Sequence, residues 1–137
     1  MPTGGYIVTS DGFPSGGSTI GLLARASGIN GKTAGALDLY TIPADRQAAV
    51  TGAMVLLTAA AGVITPATLG IGIASGEADI IAAVLLTGLT TANRATELGP
   101  IAASRVGQGG EIIRLGIDIG FIATTATLAV DLYGYLI

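Results

Sequence analysis

Hydrophobic and polar residues alternate with a period of two through residues 127–137. Leu128, Val130, Leu132 and Leu136 fall on one face, and Thr127, Asp131, Tyr133 and Tyr135 on the other. Such alternation predicts a β-strand with one buried face. Residues 111–119 repeat the pattern, with Ile113, Leu115, Ile117 and Ile119 inward and Arg114 and Asp118 outward. Residues 68–75 set Leu69, Ile71 and Ile73 against Thr68, Gly70, Gly72 and Ala74, and residues 36–42 set Leu37 and Leu39 against Asp38 and Tyr40. Residues 48–58 are apolar on both faces, as expected of a central strand covered on both sides. That length also suits a buried helix, but Val50, Thr51, Gly52 and Val55 favour a strand. A short strand is predicted near residues 94–98. Residues 77–86 are ambiguous: Ile80, Ile81, Val84 and Leu85 have helical spacing, and Ser75 is placed to cap a short helical turn.

Turn residues separate these segments at Pro43-Ala-Asp45, residues 59–66, Gly99-Pro100, residues 107–110 and residues 120–125. Short strands divided by Gly, Pro and Thr turns predict an all-β fold, an antiparallel β-sandwich or jelly roll, over residues 36–137. Residues 1–35 differ. They hold nine of the 22 glycines and two of the five prolines, and their apolar residues are isolated. Such a segment cannot bury enough apolar area to fold alone. It reads as an extended Gly-rich arm, either wrapped on its own domain or docked on a neighbouring chain.

Composition sharpens this picture. Half the residues are hydrophobic, while charged residues are 11%, against roughly 25% in an ordinary soluble domain. A lone monomer normally carries more charge, so much of the surface is expected to lie against other subunits. Net charge is −3, and the six cations are scattered. Nucleic-acid binding needs a concentrated basic footprint, so it is set aside. The chain has neither cysteine nor histidine, which removes thiol chemistry, the usual general base near neutral pH and the commonest transition-metal ligand. The first residues carry no basic segment followed by an apolar run, so no secretory signal is expected. Residues 47–76 are uncharged, but Gly52, Gly62 and Pro66 interrupt them. The apolar part is shorter than the ~20 residues of a membrane span, and no membrane partner is expected.

Candidate chemistry is sparse. Gly31-Lys32-Thr33 resembles the tail of a phosphate loop, but Ala26 stands where the first glycine is required. Gly70-Ile-Gly72 has the wrong spacing for a dinucleotide fingerprint and lies in an alternating strand, where close backbone packing or a bulge explains it. Glu77 with Asp79, or Glu97 with Glu111, are the nearest carboxylate pairs for glycosidic chemistry, and Glu77 with Asp79 is the candidate for a shared calcium ion. Two carboxylates rarely fill a calcium shell, and a sugar cleft without Trp lacks its usual platform. No enzyme, cofactor or metal is expected. Tyr133 and Tyr135, opposite the main apolar stripe of the last strand, serve either rim packing or a subunit contact.

Residues 39–46, Leu-Tyr-Thr-Ile-Pro-Ala-Asp-Arg, resemble the tyrosine-threonine-valine-proline-alanine-glycine opening of small β-sandwich virion proteins of tailed bacteriophages. Residues 69–76 with 78–81, residues 86–91 and the closing Val-Asp-Leu-Tyr-Gly-Tyr-Leu-Ile are similar to later parts of those proteins. The likeness covers residues 37–137 through loose patterns, and residues 1–35 have no counterpart. It implies a jelly-roll-like capsid decoration, or cement, protein on the outer capsid surface, made in the host cytoplasm. Such a protein self-associates, often as a trimer, and braces neighbouring major capsid subunits. A head-fibre, collar or tail adaptor is the alternative within the class, and a carbohydrate-binding sandwich the alternative outside it. On this reading Tyr6, Phe13, Ile20 and Leu22 anchor the arm on adjoining subunits, and many weak contacts add through effective concentration.

Overall fold

Residues 20–137 are described by a computed structural model, which holds eight strands and, among the described residues, no helix. They are β1 (Gly21–Asn30), β2 (Gly35–Thr41), β3 (Ala48–Ala61), β4 (Thr68–Gly72), β5 (Ile81–Leu85), β6 (Arg94–Leu98), β7 (Ile112–Ile119) and β8 (Thr125–Leu136). One sheet has the order β1-β8-β3-β6 and the other β2-β7-β4-β5. All neighbours are antiparallel. The pairs β1–β8, β2–β7, β3–β6 and β4–β5 nest inside one another. The chain is thus one long hairpin, folded at the β4–β5 turn and rolled until β3 meets β8 and β4 meets β7. That is the jelly-roll topology.

Alternation along each strand supplies the core between the sheets. Leu128, Val130 and Leu132 of β8 and Val55 and Leu57 of β3 face Leu69 and Ile71 of β4 and Ile113, Leu115 and Ile117 of β7, all buried in one cluster. Each fully buried Leu or Ile contributes about 1.5–3 kcal/mol relative to exposure. No polar or charged residue among those described is buried, so cohesion is apolar and specificity comes from the ladders.

Three expectations need correction. The arm was expected to run to residue 35, but Gly21–Asn30 is a full edge strand paired with β8 from Gly21↔Gly134 to Asn30↔Thr127. Its signal was hidden because register shifts between Leu22 and Ala24 and between Ala26 and Ile29 break the period of two. Gly28 sits in the second shift with φ +66, a left-handed conformation that favours glycine. Residues 77–86 hold no helical turn: residues 76–80 form a turn and bend leading into β5. Finally, β3 is central in its sheet but covered on one face only, because Ala49, Met54 and Leu56 remain half-buried on the outside.

The β4–β5 hairpin explains the Gly-Ile-Gly sequence. A methyl group at Gly70 would sit 2.8 Å from the Ile81 carbonyl oxygen and 2.9 Å from the Ala83 nitrogen, and one at Gly72 would collide with the Asp79 carboxylate. The outer side of β4 is thus roofed by the backbone of β5 and its leading turn. Asp79 ties that turn down. Its carboxylate accepts hydrogen bonds from the Ile73 amide at 2.7 Å and the Ala74 amide at 3.3 Å, and pairs with Arg105 at 3.3 Å. Arg105 also pairs with Glu111, whose second oxygen accepts from the Gln108 amide at 2.7 Å. The β4–β5 turn and the β6–β7 connection are therefore clamped together. Partial burial pushes the Asp79 carboxyl upward, but the two amides and the Arg105 guanidinium outweigh it and hold the group below its ordinary value.

Two outcomes follow from this hairpin. Gly70→Ala is expected to lower stability by about 1–3 kcal/mol, read from the midpoint of urea unfolding, because backbone rather than a flexible side chain must move. Asp79 has a folded pKa below its unfolded one, so its contribution is complete above the unfolded value and lost as pH falls through the folded value. Stability should therefore decline below about pH 4. Asp79→Asn should cost about 1–2 kcal/mol at neutral pH and flatten that decline. An unchanged acid limb in the variant would remove Asp79 as its cause.

Candidate interaction surface

The outer face of the β1-β8-β3-β6 sheet gathers residues that the sequence scatters. Cross-strand partners share a face, so the ladders define rows across it. One row runs Arg25–Asp131–Met54–Glu97, through β1, β8, β3 and β6. The next rows set Ala129 beside Leu56 and Ala95, Leu22 beside Tyr133, and Ala49 beside Tyr135. Ile20 immediately precedes β1, and continuing its register brings it across from Tyr135. Ile20 is 57% exposed and Leu22 47%, while both tyrosines are half-buried. Of the residues expected to contact partners, Ile20, Leu22, Tyr133 and Tyr135 therefore lie in one patch at one end of the sheet. Tyr6 and Phe13 lie outside the described residues.

One ion pair crosses this face. Arg25 Nε lies 2.7 Å from Asp131 Oδ1 and Arg25 Nη2 lies 2.8 Å from Oδ2, a bidentate fork. Hydrogen bonds from Arg25 hold the Asp131 carboxyl below its ordinary value, and the same pair raises the guanidinium. The Tyr133 hydroxyl reaches Asp131 at 3.5 Å. Neutralising the charges of β1 and β8 against each other leaves a surface of Leu, Met, Ala and Tyr with few free charges. The Met54 and Leu56 positions escaped sequence reading, because β3 looked covered on both sides; the ladder partners of Asp131 and Ala129 identify them.

A second apolar region lies at the opposite end of the sandwich. The β3–β4 connection is tied to the β7–β8 connection, with the Ile64 amide donating to the Ile122 carbonyl at 2.7 Å. This rigid tie displays Ile64, 79% exposed, beside Ile122 at 54%. Between the edges of β1 and β2 runs a cleft of 440 Å³, with Ala26, Gly28, Ala36 and Leu37 among its walls and Ser27, Asn30, Thr33 and Asp38 its polar members. It presents no aromatic platform for a sugar.

The candidate chemical motifs resolve into structure. Gly31-Lys32-Thr33 is the β1–β2 turn, where the Lys32 amide donates to Asn30 Oδ1 at 3.0 Å and its ammonium donates to the Thr124 carbonyl at 3.1 Å. Glu77 packs over Gly116 while Asp79 is taken up by the clamp, so the two do not converge on a shared ligand. Glu97 lies on β6 opposite Met54, and Glu111 is bound by Arg105 and Gln108. Among the described residues no three carboxylates cluster, and no helix is long and apolar enough to cross a membrane.

No family model matches the chain, and no curated protein does. Solved structures do. A chain of the cyanophage Pam1 capsid asymmetric unit aligns with a TM-score of 0.55 at 17% identity, covering 98% of this chain and 96% of that one. A chain of the acid-stable capsid of Helicobacter pylori bacteriophage KHP30 aligns at 0.58 with 10% identity, covering 88% and 93%. A chain of the capsid of Ralstonia phage GP4 aligns at 0.58 with 14% identity, covering 91% and 88%. At these identities the likeness is one of fold, and it spans nearly the whole of each partner.

Proposed function

We propose that this chain is a structural protein of a tailed-phage virion, a decoration protein that self-associates on the outer capsid surface and braces neighbouring major capsid subunits. The observation that carries the reading is the shared fold: chains from three phage capsid structures match this jelly roll over 88–98% of its length. The chemistry of the surface supports it. The carboxylates of the clamp and of the β1–β8 pair are engaged in structural contacts, and large apolar side chains stand exposed at both ends of the sandwich.

The patch of Ile20, Leu22, Tyr133 and Tyr135 is the proposed contact with adjoining subunits, with Tyr6 and Phe13 as further anchors. Tyrosine suits such a role because its ring covers area at small entropic cost and its hydroxyl tolerates a wet rim. Individual contacts are weak, but a chain held at several points of a repeating shell gains through effective concentration. The trimer and the major capsid partner belong to the same proposal.

Quantitative mass spectrometry of purified virions tests the assignment. A copy number comparable with that of the major capsid protein is expected. A handful of copies per particle would favour a neck or tail adaptor, and absence from the particle would overturn the reading. In detergent-free buffer, light scattering should give a discrete oligomer. Tyr135→Asp should shift it toward monomer while lowering stability by no more than about 1 kcal/mol, because the side chain lies outside the core.

A further inference from the structure

The connections of this sandwich divide its charge unevenly. Residues 31–34, 62–67, 86–93 and 120–124 join strands at one end, and residues 42–47, 73–80 and 99–111 at the other. The second set carries Asp45, Arg46, Glu77, Asp79, Arg105 and Glu111. The first set, through all four connections, carries Lys32 alone. The Lys32 ammonium is turned back onto the Thr124 carbonyl at 3.1 Å, so even this charge is partnered within its own end. The nearest further charges, Arg94 and Asp118, lie in the ends of β6 and β7.

Apolar side chains stand where the charges are missing. Ile64 is 79% exposed, Ile119 60% and Ile122 54%. Ile64 and Ile122 do not ride on loose loops. Besides the bond from Ile64 to Ile122, the Ile122 amide donates to the Thr65 carbonyl at 3.0 Å and the Thr124 amide to the Ala61 carbonyl at 2.9 Å. Thr65 and Ile122 thus form an antiparallel bridge, and the buried Ala67 and Phe121 root its two connections in the core. A partner would meet this ledge without first having to order it, which removes part of the cost of binding.

Neutrality points to the identity of that partner. A different protein can set opposite charges against those of its target, so a foreign footprint has no need to be free of charge. A copy that meets itself about a twofold axis has no such choice. Residues near the axis face their own counterparts, and any charge there is set against the same charge. Such a contact requires a neutral, apolar centre, and the four-connection end supplies one.

We propose that the ledge of Ile64 and Ile122 is the centre of an isologous contact in which two copies of this chain meet end to end. The exposed Thr87, Thr90 and Thr91 of the 86–93 connection would form a polar rim. The inference rests on the self-association in the functional reading and adds a second surface to it, since the Tyr133–Tyr135 patch lies at the opposite end of the sandwich. A contact of this kind doubles whatever assembly the patch forms.

Light scattering of the full-length chain in detergent-free buffer provides the test. At a twofold contact Ile64→Asp sets carboxylate against carboxylate, and Ile64→Lys sets ammonium against ammonium. Each is expected to halve the mass of the native assembly. An equimolar mixture of the two pairs Asp with Lys, and the full mass is expected to return. Ile122→Asp and Ile122→Lys repeat the test from the other connection. A native mass in both single variants would overturn the end-to-end contact but leave self-association standing. Halving in both without recovery in the mixture would mean that Ile64 meets a different surface, and would overturn the twofold arrangement. Native mass in both variants with at least tenfold loss from purified virions would make the capsid the occupant and overturn the pairing of copies. A monomeric native chain would overturn both the contact and self-association.

Discussion

The ladder between β3 and β8 is the constraint on which the rest of this molecule depends. It runs from Ala48↔Leu136 to Ala61↔Thr125, joins the two longest strands, and sets which side of each faces the core. A slip of one residue would exchange the faces. Leu128, Val130 and Leu132 would turn to solvent, and Asp131 and Tyr133 would turn inward, where no other polar side chain among those described is buried. The register that builds the core therefore also builds the outer face, and the Tyr133–Tyr135 patch follows from the burial of its alternates.

Attached to this ladder, the second sheet needs a different device. β4 is short and carries glycine at two of its three outward positions, Gly70 and Gly72 after Thr68, which lets the chain return across it as β5 and the turn before it. The return is held by few side chains. Asp79 fixes the turn through backbone amides, and Arg105 links it to Glu111 on the far connection. These groups are only partly buried, so the clamp acts through hydrogen bonds to charged groups rather than through a buried ion pair, whose desolvation would be costly.

How far the sequence reveals all this depends on whether alternation survives in each strand. β7 and β8 are regular along most of their length and readable, and so is β4, because one apolar face repeats against a polar or glycine one; β2 alternates in sequence, but its bulge between Asp38 and Tyr40 and its exposed Leu37 leave the faces unsorted. β1 is not readable, since its two bulges shift the inward set from Ala24 and Ala26 to Ile29, and small residues on both faces leave little contrast. β5 misleads for another reason. It is an edge strand over glycines, so its apolar residues are not sorted into inner and outer positions, and the spacing of Ile80, Ile81, Val84 and Leu85 imitates a helix. Of the proposed contact patch, the tyrosines and Leu22 stand out in the sequence but their assembly does not, because Leu22 and Tyr133 are brought together by a ladder linking the first strand to the last.

The low charge of the chain acquires a specific meaning once the ion pairs are placed. Charge is not scarce because the core is unusually large; it is scarce on the outside, and much of what exists is spent within the fold. Arg25 with Asp131, Arg105 with Asp79 and Glu111, and Arg114 with Asp38 each join two segments of the chain. Outside these pairs the exposed charges, Lys32, Asp45, Arg94, Glu97 and Asp118 among them, are scattered between small apolar side chains, threonines and isolated isoleucines. A surface of this kind gives up the electrostatic repulsion that keeps dissolved monomers apart. It suits a protein surrounded by neighbours for most of its existence, where alanine and glycine allow close approach and no charge has to be desolvated without a partner. The half-covered face of β3 fits the same condition. Its outward Met54 and Leu56 give the strand the apolar pattern of a buried element, although they stand half-buried on the outer face.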